Sequence, residues 1–290
     1  MLREQTHTYY EQKAELLLQY IANHLDGDLS VKTLSDISGI SLFHFHRVMK
    51  AALGETLGSY IDRVRLDTAV KLIRYGDISF TDIALRIGFK DLSAFSKAFT
   101  KEFGISPNDF KADKNAVLNT HIDYKMTGTQ KLVVDVKPKI KTLPDRMVYY
   151  IRVKGIYGGL EVIKAWDELG DFIVMNKLDG WNLNLFSVYY DDGDVVGVEN
   201  TISDVCIASK KMVSVSGRIA VQNIPGGKYA VYRYKGPYDY LWDVYDAIFR
   251  DGVYPGDFKL RDAPIVEKYL NLSHKVKPVN LLTEIFIPIE

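Results

Sequence analysis

The 290-residue chain predicts two domains in series: an all-α double helix-turn-helix domain, then an α+β domain of two pseudo-symmetric β-α-β-β halves. Three observations lead there. Apolar residues recur at helical spacing to about position 112 and alternate at strand spacing after about position 131. Two stretches of the first part repeat a helix, Gly turn, helix pattern. Two stretches of the second part repeat a strand, a Gly turn and an amphipathic helix.

Composition bounds the function classes. With 47% hydrophobic residues the chain can bury a sizeable core. The first residues, MLREQTHTYYEQ, lack an apolar leader, and no later apolar run approaches the roughly 20 residues of a membrane span. No membrane association is expected, and the expected location is the cytoplasm. The lone Cys206 excludes an internal disulfide and a cysteine-based zinc site, and is expected to be a small buried hydrophobe. A formal net charge of +0 removes bulk basicity, so any DNA affinity must come from locally placed charges.

From Tyr9 to Leu25, the residues Leu16, Leu17, Tyr20, Ile21 and Leu25 share one helical face, and Asp26-Gly27-Asp28 ends the helix. Two similar stretches follow, LSVKTLSDISGISLFHFHRVMKAALG and ISFTDIALRIGFKDLSAFSKAFTKEFG. Each gives a short helix, a turn at Gly39 or Gly88, and a second helix ending near Gly54 or Gly104. In the later second helix, Phe95, Phe99 and Phe103 form a core stripe, leaving Ser93, Ser96, Lys97 and Thr100 on other faces. In the earlier one, Phe45, Val48, Met49 and Leu53 form the inward side and leave Phe43, His46, Arg47 and Lys50 to reach a partner. His44 and His46 point roughly 200° apart on a helix and cannot share an ion. No metal site is expected.

Between the two units, residues 57–74 read as one helix. Roughly 18 residues at about 1.5 Å each give about 27 Å, near the roughly 34 Å of one DNA turn. Two second helices held that far apart suit successive major grooves, although a plain helical bundle has the same lengths.

The first part resembles the AraC/XylS type of DNA-binding domain, above all through DIALRIGFKDLSAFSKAFTKEFGISPNDFK. The earlier unit matches more loosely, at Ser41, Phe45, Arg47, Gly54, Tyr60 and Arg65-Leu66. The resemblance implies a domain over 1–112 that binds double-stranded DNA, with RNA polymerase as the expected protein partner. Arg47 can reach guanine, His46 can donate or accept, Phe43 can contact a thymine methyl, and Ser93 and Ser96 can read base edges. Lys50, Lys97 and Lys101 suit phosphate. Leu92 and Ala94 stand where relatives often carry longer polar groups, so the second unit is expected to add more backbone affinity than discrimination.

Residues 113–130 read as a polar linker, after which strands appear in KLVVDVKPKIK and MVYYIRVKG. YIRVKGIYGGLEVIKAWDEL can be laid on VYRYKGPYDYLWDVYDAIF, matching Arg152 with Arg233, Tyr157 with Tyr238 and Leu160 with Leu241. The repeat continues through NLFSVYYDD and DVCIASK against APIVEKYLN and TEIFIPI, setting Asp204 opposite Glu284. A pseudo-twofold sheet with a concave junction follows.

The region 131–290 resembles the GyrI-like effector-binding domain, through the K-G-x-Y turn, IPGGKYAVYRYKGPY and the terminal TEIFIPI. The resemblance implies a small-molecule effector held by the acid of the last strand, Glu284, at the floor of a cavity. Tyr149, Trp181, Tyr189, Trp242, Tyr269 and Phe286 are the candidate walls. A carboxylate in a partly dry cavity attracts a cation, and aromatic faces add to it, so a small amphipathic, cationic ligand is favoured. The competing expectation for Glu284 is a structural acid paired with Arg or Lys. No catalytic set of nucleophile, base and orienter is legible, and no cofactor is expected. A hydrolase fused to a DNA reader, with Glu284 as general base, and a DNA-bound protein-interaction module are the alternatives.

Overall fold

The computed structural model describes residues 9–76, 78–113, 134–178, 184–191, 198–256, 258–271 and 275–290. Most of the expected linker and Trp181 lie outside these residues. The chain divides into two compact units, one of Met1–Glu11, Ile40–Ala52 and Lys131–Glu290, the other of Gln12–Gly39 and Leu53–Gln130.

The helices run in the order α1 (Tyr9–Asn23), α2 (Val31–Ser38), α3 (Leu42–Leu53), α4 (Leu57–Tyr75), α5 (Phe80–Arg86), α6 (Leu92–Phe103) and α7 (Pro107–Ala112). Local chemistry sets their ends. Ser30, Thr56, Ser79, Asp91 and Ser106 each accept a backbone N–H of the first turn, and Pro107 opens α7. Gly39 and Gly104 close α2 and α6 in the left-handed conformation.

In the second unit, Phe95, Phe99 and Phe103 of α6 are buried among Leu66, Ile73, Ile83 and Phe110. Neighbouring rings of that stripe meet edge to face at 5.7 and 4.7 Å. Gly88, at φ 85°, occupies a turn that a side chain could not enter, because a Cβ would collide with the Leu25 carbonyl and the Arg65 guanidinium. Arg65 donates to that same carbonyl at 2.9 Å.

The first unit is built on one antiparallel sheet. Its strands are β1 (Val134–Leu143), β2 (Arg146–Lys154), β3 (Asn184–Tyr189), β4 (Ile202–Ala208), β5 (Ala220–Ile224), β6 (Gly227–Lys235), β7 (Ile265–Tyr269) and β8 (Leu282–Ile289). Helix α8 (Leu160–Asn176) connects β2 to β3. Helix α9 (Leu241–Ala247), continued by a π-helical turn over Ile248–Val253, lies between β6 and β7.

The strand order β1-β6-β8-β7-β3-β4-β2-β5 is a palindrome of two halves. The expected β-α-β-β units are β2-α8-β3-β4 and β6-α9-β7-β8, and β7 and β3 join them at the centre. Two further strands exchange between the halves: β1 pairs with β6 of the second and β5 with β2 of the first.

Side-chain alternation gives the sheet two apolar faces. One carries Tyr149, Ile151, Val205 and Ile207 under Ala165, Leu169 and Phe172 of α8. The other carries Val148, Phe186, Cys206, Tyr229, Val266 and Phe286.

Candidate functional site

Strand β7 alternates Ile265, Glu267 and Tyr269 on one face with Val266 and Lys268 on the other. Glu267 is completely buried. Three tyrosine hydroxyls donate to its carboxylate: Tyr245 of α9 to Oε1 at 2.7 Å, and Tyr269 and Tyr157 to Oε2 at 2.8 and 2.9 Å. The Tyr269 hydroxyl also reaches the Ser187 Oγ at 3.0 Å and lies 3.4 Å from that of Tyr189.

The rings are ordered too. Tyr157 stacks on Tyr189 at 5.3 Å, and Trp166 and Tyr238 meet the Tyr269 ring edge-on at 5.8 and 5.4 Å. Among the described residues no cation forms an ion pair with Glu267. Burial pushes its pKa up, and the hydroxyls of Tyr245, Tyr269, Tyr157 and Tyr189 pull it back down. Burial, and then the Glu267 charge, raise the pKa of Tyr157, Tyr245 and Tyr269 well above the ordinary tyrosine value. The cluster is a neutral hydroxyl cage around an acid, with aromatic faces beside it. That chemistry suits an organic cation.

The expected ligand residues fall into different places. Tyr189 and Tyr269 join the Glu267 cluster. Tyr149 is fully buried against Phe172, and its hydroxyl donates to the Lys211 carbonyl. Trp242 is half-buried on α9.

Glu284 and Phe286 lie on the opposite sheet face, so they are not brought together with Tyr149, Tyr189 or Tyr269. Glu284 faces Arg233 across β6 and β8 and pairs with Lys141 at 3.2 Å and Arg233 at 3.7 Å. Its repeat counterpart Asp204 faces Arg152 in the same way, at 2.8 Å, and also accepts from Tyr190 and Gln222. Both final-strand acids thus find an arginine within their own half.

Of the expected DNA readers, Ser93, Lys97 and Lys101 are exposed on α6, and Ser96 is half-buried. Helix α3 belongs to the unit that holds the sheet. There His44 is fully buried 6.3 Å from Phe249. Burial and the Arg47 charge lower its pKa to about 3, against the opposing pull of the Arg261 and Ala263 carbonyls. The Arg47 guanidinium lies 5.3 Å from the Tyr245 ring centre and 6.0 Å from that of Phe249. Lys50 pairs with Asp246 at 2.9 Å. Phe43 and His46 are half-buried.

Sequence reasoning missed Glu267, Tyr157, Tyr238, Tyr245, Trp166 and Ser187. The sequence repeat matches Tyr157 with Tyr238, and the strand registers, not the sequence alone, relate Tyr189 to Tyr269 and Ser187 to Glu267.

Comparison with known proteins agrees with this architecture. Residues 137–290, just over half of the chain, match the family described as a GyrI-like small molecule binding domain, and residues 34–113 match a helix-turn-helix domain. The HTH-type transcriptional activator RhaS of Enterobacter is 37% identical over 102 residues, which span 35% of this chain and 37% of that protein.

Among solved structures, the EcmrR C-terminal domain aligns at 24% identity and TM-score 0.47, covering 55% of this chain and 99% of that one. A hydrolase from Listeria innocua aligns at 16% identity and TM-score 0.41, covering 54% and 93%. The chain therefore belongs to the GyrI-like small molecule binding domain family and carries an AraC-type helix-turn-helix domain ahead of that region.

Proposed function

We propose that this protein is a DNA-binding transcription regulator whose sheet domain senses a small amphipathic cation at Glu267. The observation that carries the reading is one fully buried carboxylate held by three tyrosine hydroxyls, with aromatic rings around it and no ion-pair partner among the described residues. A buried acid without a counter-ion is costly, and a ligand cation relieves that cost. The helix-turn-helix match supports DNA as the target, with RNA polymerase as the expected partner and the cytoplasm as the location.

Tyr245 gives a route from ligand to DNA reading. Its hydroxyl donates to Glu267, and its ring lies under the guanidinium of Arg47, the strongest candidate base reader. A cation that draws the carboxylate away from Tyr245 loosens the ring on which Arg47 rests. The sensor then changes the availability of α3 by population shift. The protein is read as a binder rather than an enzyme, because the helix-turn-helix match beside the sheet domain favours sensing over turnover.

Selection of sites from random-sequence duplex DNA, with and without a cationic aromatic dye, tests the function. An enriched motif whose affinity changes with the dye supports the reading. No enrichment, or turnover of the dye that stops in Glu267→Gln, overturns it.

A further inference from the structure

The sheet face opposite Glu267 carries a second concavity, of about 110 Å³. Its floor is Phe186, Tyr229, Val266 and Phe286, and its charged groups are Lys141, Arg146, Lys268 and Glu284. Three cations thus converge around one acid. Glu284 is already engaged, by Lys141 at 3.2 Å and by Arg233, from outside the cavity lining, at 3.7 Å. Arg146 and Lys268 have no carboxylate within ion-pair distance among the described residues. Both instead lie against the Phe186 ring, with centroid distances of 5.3 and 5.9 Å.

This cluster has the opposite polarity to the tyrosine cage. Burial lowers the Lys268 pKa; nearby Glu284 raises it, while Arg146 and Lys141 lower it further. A bound anion between Arg146 and Lys268 would relieve that repulsion and form charge-assisted hydrogen bonds with both. The space is several times the ~10–15 Å³ that admits one water. It is well below the ~300 Å³ at the low end of drug-sized pockets. An aromatic floor of that size suits a single ring.

We propose that this cavity is a second ligand site, taking a small aromatic carboxylate whose ring lies on Phe186 and Phe286 and whose carboxylate sits between Arg146 and Lys268. The site stands independently of the Glu267 reading, because its residues occupy the other face of the sheet.

Titration of the full chain with benzoate, followed by ligand-observed NMR, tests it, with benzamidine as the cationic control of the same shape. Saturable benzoate binding is expected at millimolar to submillimolar concentration. It should weaken by about tenfold in Lys268→Met and in Arg146→Met, each checked for an unchanged melting temperature. Glu284→Gln removes the local acid and is expected to tighten benzoate, while Glu267→Gln leaves it unchanged. Absence of saturable binding, equal binding by wild type and both cation variants, or preference for benzamidine overturns the proposal. Loss of benzoate binding in Glu267→Gln also overturns it, because the probe would then occupy the tyrosine cage.

Discussion

Ser187 and Glu267 face each other across the central strand pair β3–β7, and the registers that set Val188 beside Asp204 and Lys268 beside Glu284 make them equivalent positions of the two halves. The pseudo-twofold axis of the sheet therefore runs between a hydroxyl and a carboxylate. Tyr189 and Tyr269, related by the same registers, flank that axis, and the Tyr269 hydroxyl bonds to both Ser187 and Glu267. Symmetry supplies the matched rings, and one departure from symmetry supplies the charge.

The buried acid gives stability a definite pH dependence. Burial raises the native pKa of Glu267 above its ordinary value of about 4.5, so the folded state holds the proton more tightly than the unfolded chain. Its contribution to stability is complete below about 4.5 and is lost as pH rises through the raised native value. Urea denaturation across that window is expected to show falling stability with rising pH, and Glu267→Gln is expected to flatten this slope.

The two repeat-related acid–arginine pairs differ in worth. Asp204 is fully buried with partners on Arg152, Tyr190 and Gln222, so Asp204→Asn is expected to cost about 1–3 kcal/mol. The Glu284 side chain keeps 15% of its exposure and both of its partners are more than one-third exposed. Glu284→Gln is expected to stay within about 1 kcal/mol. Shifts of the denaturation midpoint at unchanged slope measure both.

Gly88 gives a test confined to the helical unit. Gly88→Ala must relieve a collision with the Leu25 carbonyl and hold a left-handed backbone, so a loss of roughly 2 kcal/mol or more is expected. Helical signal should melt earlier, while the sheet unit's near-UV signal keeps its midpoint. A wild-type melting profile for both signals would mean that the turn tolerates a side chain.

In the proposed reading, α3 links DNA affinity to the Glu267 cluster. Arg47→Ala is expected to weaken a selected site by about 1–3 kcal/mol relative to random DNA, whereas Lys101→Ala weakens both and reduces the salt slope by about 1. Tyr245→Leu removes the ring beneath Arg47 and one hydroxyl from Glu267, so it is expected to raise ligand-free affinity for the selected site and diminish the dye's effect. Fluorescence anisotropy at two salt concentrations reads all three.

Much of this fold was legible from period and repeat. The Phe95, Phe99 and Phe103 stripe, the Gly88 turn and the paired β-α-β-β halves follow from local spacing and matched segments. Strand β5 was not legible, because AVQNI is short and pairs with the other half. The acid proposed to take the ligand was harder still. IVEKY and TEIFIPI each carry one acid in an apolar strand, and which face that acid occupies depends on pairing across the sheet. Arg233 lies opposite Glu284, whereas Ser187 lies opposite Glu267, and this difference in partners separates the paired acid from the unpaired one. The placement of α3 depends on burial of His44 among residues more than 200 positions away, beyond the reach of helical periodicity.

The most direct test of the central claim is a calorimetric titration of the full chain and of Glu267→Gln with a cationic aromatic dye and its neutral analogue. The account predicts saturable binding of the cation by the wild type, weaker binding of the neutral analogue, and a loss of about tenfold or more for the cation in the variant. Equal cation affinity in the wild type and a folded Glu267→Gln variant would contradict it.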